Sequence, residues 1–134
     1  MGLRQNSPVR LIIVLLALVS TITSVPDSNL TTASCNTGTY SKGDPFGISL
    51  AYVLDDLQST TSTQKNYDYY SISPYPNAFA YGHASCNLIL TASDCTTCLN
   101  AAKVDVLDLC QSRIGGRAML HDCGIRYEQY PFQV

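Results

Sequence analysis

The chain has 134 residues, of which 8 are basic and 10 are acidic, and only 13% are charged. This length suits one domain of ordinary size. Two of the basic residues, Arg4 and Arg10, lie in an N-terminal segment that we interpret as removable, so the remainder carries 6 basic and 10 acidic side chains. An acidic remainder argues against a nucleic-acid binder and against a cationic membrane-disrupting peptide, because both need a surplus of basic side chains.

Residues 1–24 have the layout of a secretory signal peptide. A basic start is followed by the unbroken apolar run Leu11–Val19 and then by small and polar residues before Pro26. Nine apolar residues are too few to cross a bilayer, so we favour a removed signal peptide over a signal anchor. The mature chain is then secreted, and the sequon Asn29-Leu30-Thr31 makes Asn29 a candidate glycosylation site.

The start of the mature chain predicts a strand and a helix. Residues 29–35 are rich in Thr and short apolar side chains, which is typical of an edge strand. Asp44-Pro45 then supplies a helix N-cap followed by proline at the first helical position. An apolar stripe at helical period predicts a helix over residues 46–58. The members of this stripe are Leu50, Val53, Leu54 and Leu57.

Four further segments predict strands. Residues 67–72 and 78–86 are aromatic-rich, alternate roughly between apolar and polar side chains, and are joined by a proline-containing loop. Such an aromatic cluster can stack on sugars, although it is more often one face of a sheet. Residues 117–122 and 125–130 predict two more strands around a tight turn near Cys123-Gly124.

A second helix is predicted over residues 93–111. Its N-cap is either Ser93 or the Thr91 of a Thr91-x-x-Asp94 capping box, and Gly115-Gly116 is expected to stop it. Its predicted buried stripe is Leu99, Ala102, Val106 and Leu109. The order of elements predicts an α+β domain in which two helices pack on one face of a five-stranded antiparallel sheet.

All six cysteines lie beyond residue 24, and an even count in a secreted chain predicts a disulfide framework. Six cysteines allow 15 pairings, and the spacing alone does not choose among them. Cys95-x-x-Cys98 at a helix start also has the geometry of a redox pair, and Cys110 and His121 can be added to it to draw a zinc site. An oxidising export route, the lack of a βαβ context and the lack of a second C-x-x-C favour structural disulfides, with no metal and no cofactor.

The sequence contains no recognisable catalytic motif. Neither G-x-S-x-G nor H-E-x-x-H occurs, and the two histidines, His83 and His121, both lie on predicted strands. A hydrolase needs a nucleophile with a base in reach, which these positions do not indicate. We therefore predict that the protein is not an enzyme.

The last predicted hairpin brings two opposite charges close together. Arg117 and Glu128 are direct cross-strand neighbours if the turn is centred on Asp122-Cys123, and diagonal neighbours if it is centred on Cys123-Gly124. The simplest interpretation is a surface ion pair worth roughly 0–1 kcal/mol.

The spacing C-x8-C-x2-C from Cys86 to Cys98 resembles that of the plant ginkbilobin-homologous domain, also called the salt-stress/antifungal domain. The resemblance covers about residues 28–134 and is strongest to single-domain ginkbilobin-like antifungal proteins. Other segments that carry it are Cys35-Asn36-Thr37, Asp44-Pro45-Phe46, Ala80-Tyr81-Gly82 and Ile125–Phe132. It implies the fold predicted above, with three disulfides: Cys35–Cys110, Cys86–Cys95 and Cys98–Cys123.

Ginkbilobin-like members of that family bind mannose through an Asn, an Arg and a Glu, which are matched here by Asn36, Arg117 and Glu128. These three side chains can donate to and accept from sugar hydroxyls. The resemblance implies a secreted, monomeric, mannose-binding plant defence protein with antifungal activity that acts on mannose-bearing fungal glycans, without nucleic acid or membrane insertion. The alternatives are an apoplastic protein-interaction module and an embryo-abundant or storage protein without functional sugar binding.

Overall fold

The computed structural model describes residues 25–134, so the predicted signal peptide at residues 1–24 lies outside the described residues and stays a prediction. The described part contains one five-stranded antiparallel sheet and two long helices, which confirms the predicted fold class. The strands are β1 Leu30–Cys35, β2 Asp68–Ile72, β3 Tyr81–Cys86, β4 Gly116–Leu120 and β5 Cys123–Glu128, and the helices are α1 Pro45–Thr60 and α2 Ala92–Leu109.

The strands lie in the order β1-β4-β5-β3-β2, so the β4–β5 hairpin forms the middle of the sheet. In this hairpin Arg117 is opposite Arg126, which centres the turn on His121-Asp122. The turn predicted near Cys123-Gly124 is therefore wrong. Cys123 belongs to β5, where it is opposite Cys86 of β3 and is tied to α2 by a disulfide, so the chain has to turn earlier.

Both helices pack on the same face of the sheet and form the core with it. The stripe predicted for α1 is confirmed, because all four of its members are buried. In α2 the stripe is confirmed for three members, but Leu109 is 52% exposed and Cys110 is buried in its place. The position that follows Val106 on the inner face is therefore four residues on, at Cys110.

The ends of the helices follow from their caps. The Asp44 carboxylate accepts a hydrogen bond from the Phe46 amide at 2.9 Å, as expected of an N-cap before proline. The N-cap of α2 is Thr91, whose hydroxyl accepts from the Asp94 amide at 3.1 Å, and not Ser93. The predicted stop at Gly115-Gly116 is wrong, because α2 already ends at Leu109, and Ser112 then adopts a positive φ of 57°.

Three disulfides join Cys35 to Cys110, Cys86 to Cys95 and Cys98 to Cys123, which are the pairs that the family resemblance implies. All six cysteines are used, so none is left as a redox thiol or a zinc ligand. Cys35–Cys110 closes the longest loop, with a sequence separation of 75. On the chain-entropy model such a bond stabilises the fold by roughly 4–5 kcal/mol.

The carboxylate of Asp56 connects α1 to β2. It accepts hydrogen bonds from the hydroxyls of Tyr69 at 2.8 Å, Ser71 at 2.7 Å and Thr60 at 2.9 Å. Burial acts to raise the pKa of Asp56, but the three hydrogen bonds outweigh it and lower this pKa below its ordinary value. The hydrogen bond that the Tyr69 hydroxyl donates to Asp56, together with burial, raises the pKa of Tyr69 to about 12.

We expect Asp56→Asn to lower the free energy of unfolding by about 1–2 kcal/mol at pH 7, because three donors then share one neutral oxygen. The contribution of a carboxylate with a lowered folded-state pKa is present above the unfolded value and is lost as the pH falls through the folded value. Urea unfolding should therefore show the difference between wild type and variant closing below about pH 4.

Asp55→Asn is the matched control, since the Asp55 carboxylate is 75% exposed and its one side-chain partner within residues 25–134 is Lys103, at 3.0 Å. It should cost less than about 1 kcal/mol. Equal losses in the two variants, or a difference that persists unchanged below pH 3, would contradict this role of Asp56.

Candidate functional site

The strands of the central hairpin alternate between the helix-covered face of the sheet and the opposite face. Ala118, Ile125 and Tyr127 face the helices and are buried. Their neighbours Arg117 and Arg126 therefore share the opposite face with Glu128. Hereafter this second face is called the open face.

An open cavity of about 350 Å³ lies where β1 ends, β4 begins and β5 ends. All three residues of the predicted sugar site line it. The complete lining is Ser34, Cys35, Asn36, Gly116, Arg117, Arg126, Glu128 and Tyr130. Hereafter this is called the polar cavity.

Asn36 is held in place through its backbone and its side-chain oxygen. Its amide N–H donates to the Gly115 carbonyl at 2.9 Å, and its own carbonyl accepts from Arg113 Nη1 at 3.0 Å. Its Oδ1 accepts from the Gly38 amide at 2.9 Å, which closes a small turn. The remaining group, Nδ2, lies 3.5 Å from Glu128 Oε2 and keeps a second N–H donor.

Glu128 is the most enclosed charged group of the polar cavity, with only 9% of its side chain exposed. Its Oε1 accepts from Nε and Nη2 of Arg126, both at 3.4 Å. These contacts and the one from Asn36 are longer than the usual 2.7–3.2 Å for N–H···O hydrogen bonds. The carboxylate can therefore accept a further, shorter bond from a hydroxyl.

The ion pair suggested between Arg117 and Glu128 is replaced by one between Arg126 and Glu128. Arg117 is the diagonal neighbour of Glu128, whereas Arg126 is two residues before it on the same strand and the same face. In the described part of the chain Arg117 is exposed and has no hydrogen bond or ion pair to another side chain. Its guanidinium donors can therefore turn to a ligand.

Two further residues, Arg126 and Tyr130, line the polar cavity and are not among the predicted site residues. Arg126 could have been predicted from the alternation of side chains along β5, because residues 126 and 128 of one strand lie on the same face. The Arg126 guanidinium lies 4.1 Å from the centre of the Phe132 ring, a cation–π contact that helps to hold it. Tyr130 follows the end of β5 and is 46% exposed.

The two histidines lie outside the polar cavity. His83 is on β3 as predicted and is buried, with its Nε2 at 2.5 Å from Asp68 Oδ1. His121 is not on a strand but in the turn of the central hairpin, because that turn comes earlier than predicted. Within residues 25–134 no group of three metal-ligating side chains comes together, and no helix is both long and apolar enough to cross a membrane.

Comparison with known proteins identifies the family. A model of the salt stress response/antifungal family matches residues 34–130. The chain belongs to this family. It is 35% identical over 121 residues to the antifungal protein ginkbilobin-like protein 1 of Picea sitchensis, covering 89% of this chain and 90% of that protein. It is 33% identical over 132 residues to the antifungal protein ginkbilobin-2 of Ginkgo biloba, covering 97% and 98%.

Two solved structures have a similar fold. The tandem DUF26 ectodomain of the Arabidopsis thaliana cysteine-rich receptor-like protein PDLP5 matches with a TM-score of 0.69 and 25% identity, over 78% of this chain and 51% of that one. That of PDLP8 matches with a TM-score of 0.65 and 29% identity, over 77% and 46%. The chain thus spans about half of these ectodomains.

Gly115 lies directly under the Glu128 carboxylate, and a Cβ there would come within 1.8 Å of Oε2. The carboxylate is the far end of a flexible side chain, so we expect Gly115→Ala to displace it at little cost in stability. Backbone amide NMR shifts should change at Asn36, Arg126 and Glu128 while the urea midpoint stays close to that of wild type.

Gly47→Ala serves as the control, because a Cβ at this position in α1 meets only Tyr40 Cε2, at an ordinary 3.6 Å. It should leave the shifts of the polar cavity unchanged and raise stability by roughly 0.5–1 kcal/mol. Unchanged shifts around Glu128 in Gly115→Ala would contradict this arrangement.

Proposed function

We propose that the protein is a secreted antifungal defence protein that binds mannose, or mannose-bearing fungal glycans, in the polar cavity. The observation that carries this proposal is the meeting of Asn36, Arg117 and Glu128, from three separate segments of the chain, around one cavity. The family and the antifungal relatives support the defence role.

The three side chains have complementary roles toward a monosaccharide. Glu128 accepts from sugar hydroxyls, Arg117 donates through its guanidinium, and Asn36 donates from Nδ2 because its oxygen is used by Gly38. Tyr130 at the cavity wall offers an exposed ring to the apolar face of the sugar.

A binding role without catalysis is supported by the lining of the polar cavity. It contains no histidine, and its one cysteine, Cys35, is in a disulfide. A few hydrogen bonds at an open site give weak affinity for a single sugar. Strong attachment therefore depends on a dense glycan surface, where many sites engage at once.

An extracellular location is proposed on three grounds. Residues 1–24 have the pattern of a signal peptide. All six cysteines form disulfides, which persist in oxidising compartments. The similar solved structures are ectodomains.

A second candidate function is an extracellular protein-interaction module. The likeness to tandem ectodomains of receptor-like proteins favours it. So does an exposed aromatic pair that does not line the polar cavity, Tyr52 and Tyr75, whose ring centres are 6.0 Å apart.

We expect the disulfide-intact protein comprising residues 25–134 to bind mannose more tightly than galactose when binding is followed by amide NMR shifts. Arg117→Ala and Glu128→Gln should each weaken binding at least about tenfold, since each removes a charged hydrogen bond worth roughly 1.5–3 kcal/mol. The same variants should lose inhibition of fungal growth.

Lys65→Ala and Asp55→Asn are matched controls, because they remove the same charges at exposed positions on other elements that do not line the polar cavity. Both should bind mannose like wild type. No shift at tens of millimolar mannose in wild type would overturn the sugar-binding proposal and favour the interaction module.

A further inference from the structure

A second cavity, of about 280 Å³, lies on the open face beside the polar cavity. It is lined by His83, Ser85, Arg117, Met119, Gly124, Ile125, Arg126 and Val134. Arg117 and Arg126 line both cavities and so form their common wall. Hereafter this second cavity is called the arginine cleft.

The two arginines are directly opposite each other on neighbouring strands. Like charges in that position repel, which is unfavourable unless an anion lies between or beside them. The Glu128 carboxylate pairs with Arg126 and lines the polar cavity, not the arginine cleft. Within the described residues Arg117 has no carboxylate within 4 Å.

The side-chain carboxylate of Asp68, on strand β2, is also engaged. Strand β5 also pairs with β3, where His83 is opposite Arg126. The Nε2 atom of His83 lies 2.5 Å from Oδ1 of Asp68. Asp68 is on β2, where it is opposite Ser85 of β3. Since β3 lies between β2 and β5, His83 separates Asp68 from the two arginines. Asp68 does not line the arginine cleft.

Positive charge is concentrated here although the chain is acidic. Of the six basic residues between 25 and 134, Arg117 and Arg126 line both cavities and Arg113 holds Asn36. Concave surfaces lined by one sign of charge concentrate the field and attract ions of the opposite sign.

We propose that the arginine cleft is an anion-binding subsite next to the sugar site, and that the preferred ligand is a saccharide bearing an oxyanion. A carboxylate or a phosphate ester fits the guanidinium fork of Arg117, with Nη1 of Arg126 and the Ser85 hydroxyl as further donors, since Nε and Nη2 of Arg126 are bonded to Glu128. This inference rests on the proposed function, because the sugar ring of the same ligand occupies the polar cavity.

The test compares mannose with mannose 1-phosphate, mannose 6-phosphate, mannuronate and inorganic phosphate on the protein comprising residues 25–134, at a fixed ionic strength near 0.15 M. At least one charged mannose derivative should bind about tenfold more tightly than mannose. It should also shift the backbone amide NMR signals of Ser85 and Met119, which mannose alone should not shift. Comparing the two mannose phosphates with mannuronate shows whether a phosphate or a carboxylate is the preferred oxyanion.

Ser85→Asp places a carboxylate in the arginine cleft without touching the polar cavity. It should bring the affinity of the charged derivative close to that of mannose, so that the ratio of the two affinities in this variant falls to about one. Thr32→Asp adds the same charge on the same sheet face, opposite Met119, at an exposed residue that lines neither cavity. It should retain most of the difference in affinity between the charged derivative and mannose.

Failure of the two proposals can be told apart. Equal affinity for mannose and all its charged derivatives overturns the anion subsite while the sugar site stands. If inorganic phosphate shifts Ser85 and Met119 but no mannose derivative binds more tightly than phosphate, the joint saccharide ligand is overturned. If neither mannose nor any anion causes a shift, both proposals fail.

Discussion

The disulfide between Cys35 and Cys110 holds together the corner of the fold on which the polar cavity depends. It joins the end of β1 to the residue after α2, and so fixes Asn36 beside the segment that leads into β4. Tyr127 strengthens the same corner, because its hydroxyl donates to the Arg113 carbonyl at 3.0 Å and its ring is buried. Burial, together with nearby charge, raises the pKa of this tyrosine well above its ordinary value, so it remains a neutral donor.

The register of the central hairpin then decides which side chains share the open face. A shift of one residue in one strand would move all of its side chains to the other face. Here Cys123 is anchored to α2 and also lies opposite Cys86, so β5 has little freedom to slide. Arg117 is consequently opposite Arg126 and diagonal to Glu128. The Cys98–Cys123 disulfide, at the other end of β5 from Glu128, thus helps to fix which charged side chains line the polar cavity.

Sequence alone predicted the helices and strands well because their signals are local. The Asp44-Pro45 cap and the apolar stripes need no knowledge of distant residues. The errors occurred where tertiary contacts decide. Leu109 was predicted buried, but the bond from Cys110 to Cys35 gives the inner position to the cysteine, and the hairpin turn comes early because Cys123 is needed within β5.

The candidate site was predicted from family resemblance and not from any local pattern. Asn36, Arg117 and Glu128 are far apart in the chain, and composition gives no reason to connect them. The partner of Glu128 shows the limit of pairwise reasoning, because the choice between Arg117 and Arg126 depends on a register that the sequence left open. The alternation of β5 does place Arg126 beside Glu128 without any knowledge of the register.

Net charge is a poor guide to a single small site. The surplus of acidic residues weighs against extended polyanion-binding surfaces, because those need many cations spread over a wide area. A cleft is governed by the few charges that line it, since more distant ones are screened over about 8 Å at physiological ionic strength. With Glu128 already paired to Arg126, Arg117 dominates the field in the arginine cleft, and an acidic protein can still bind an anion there.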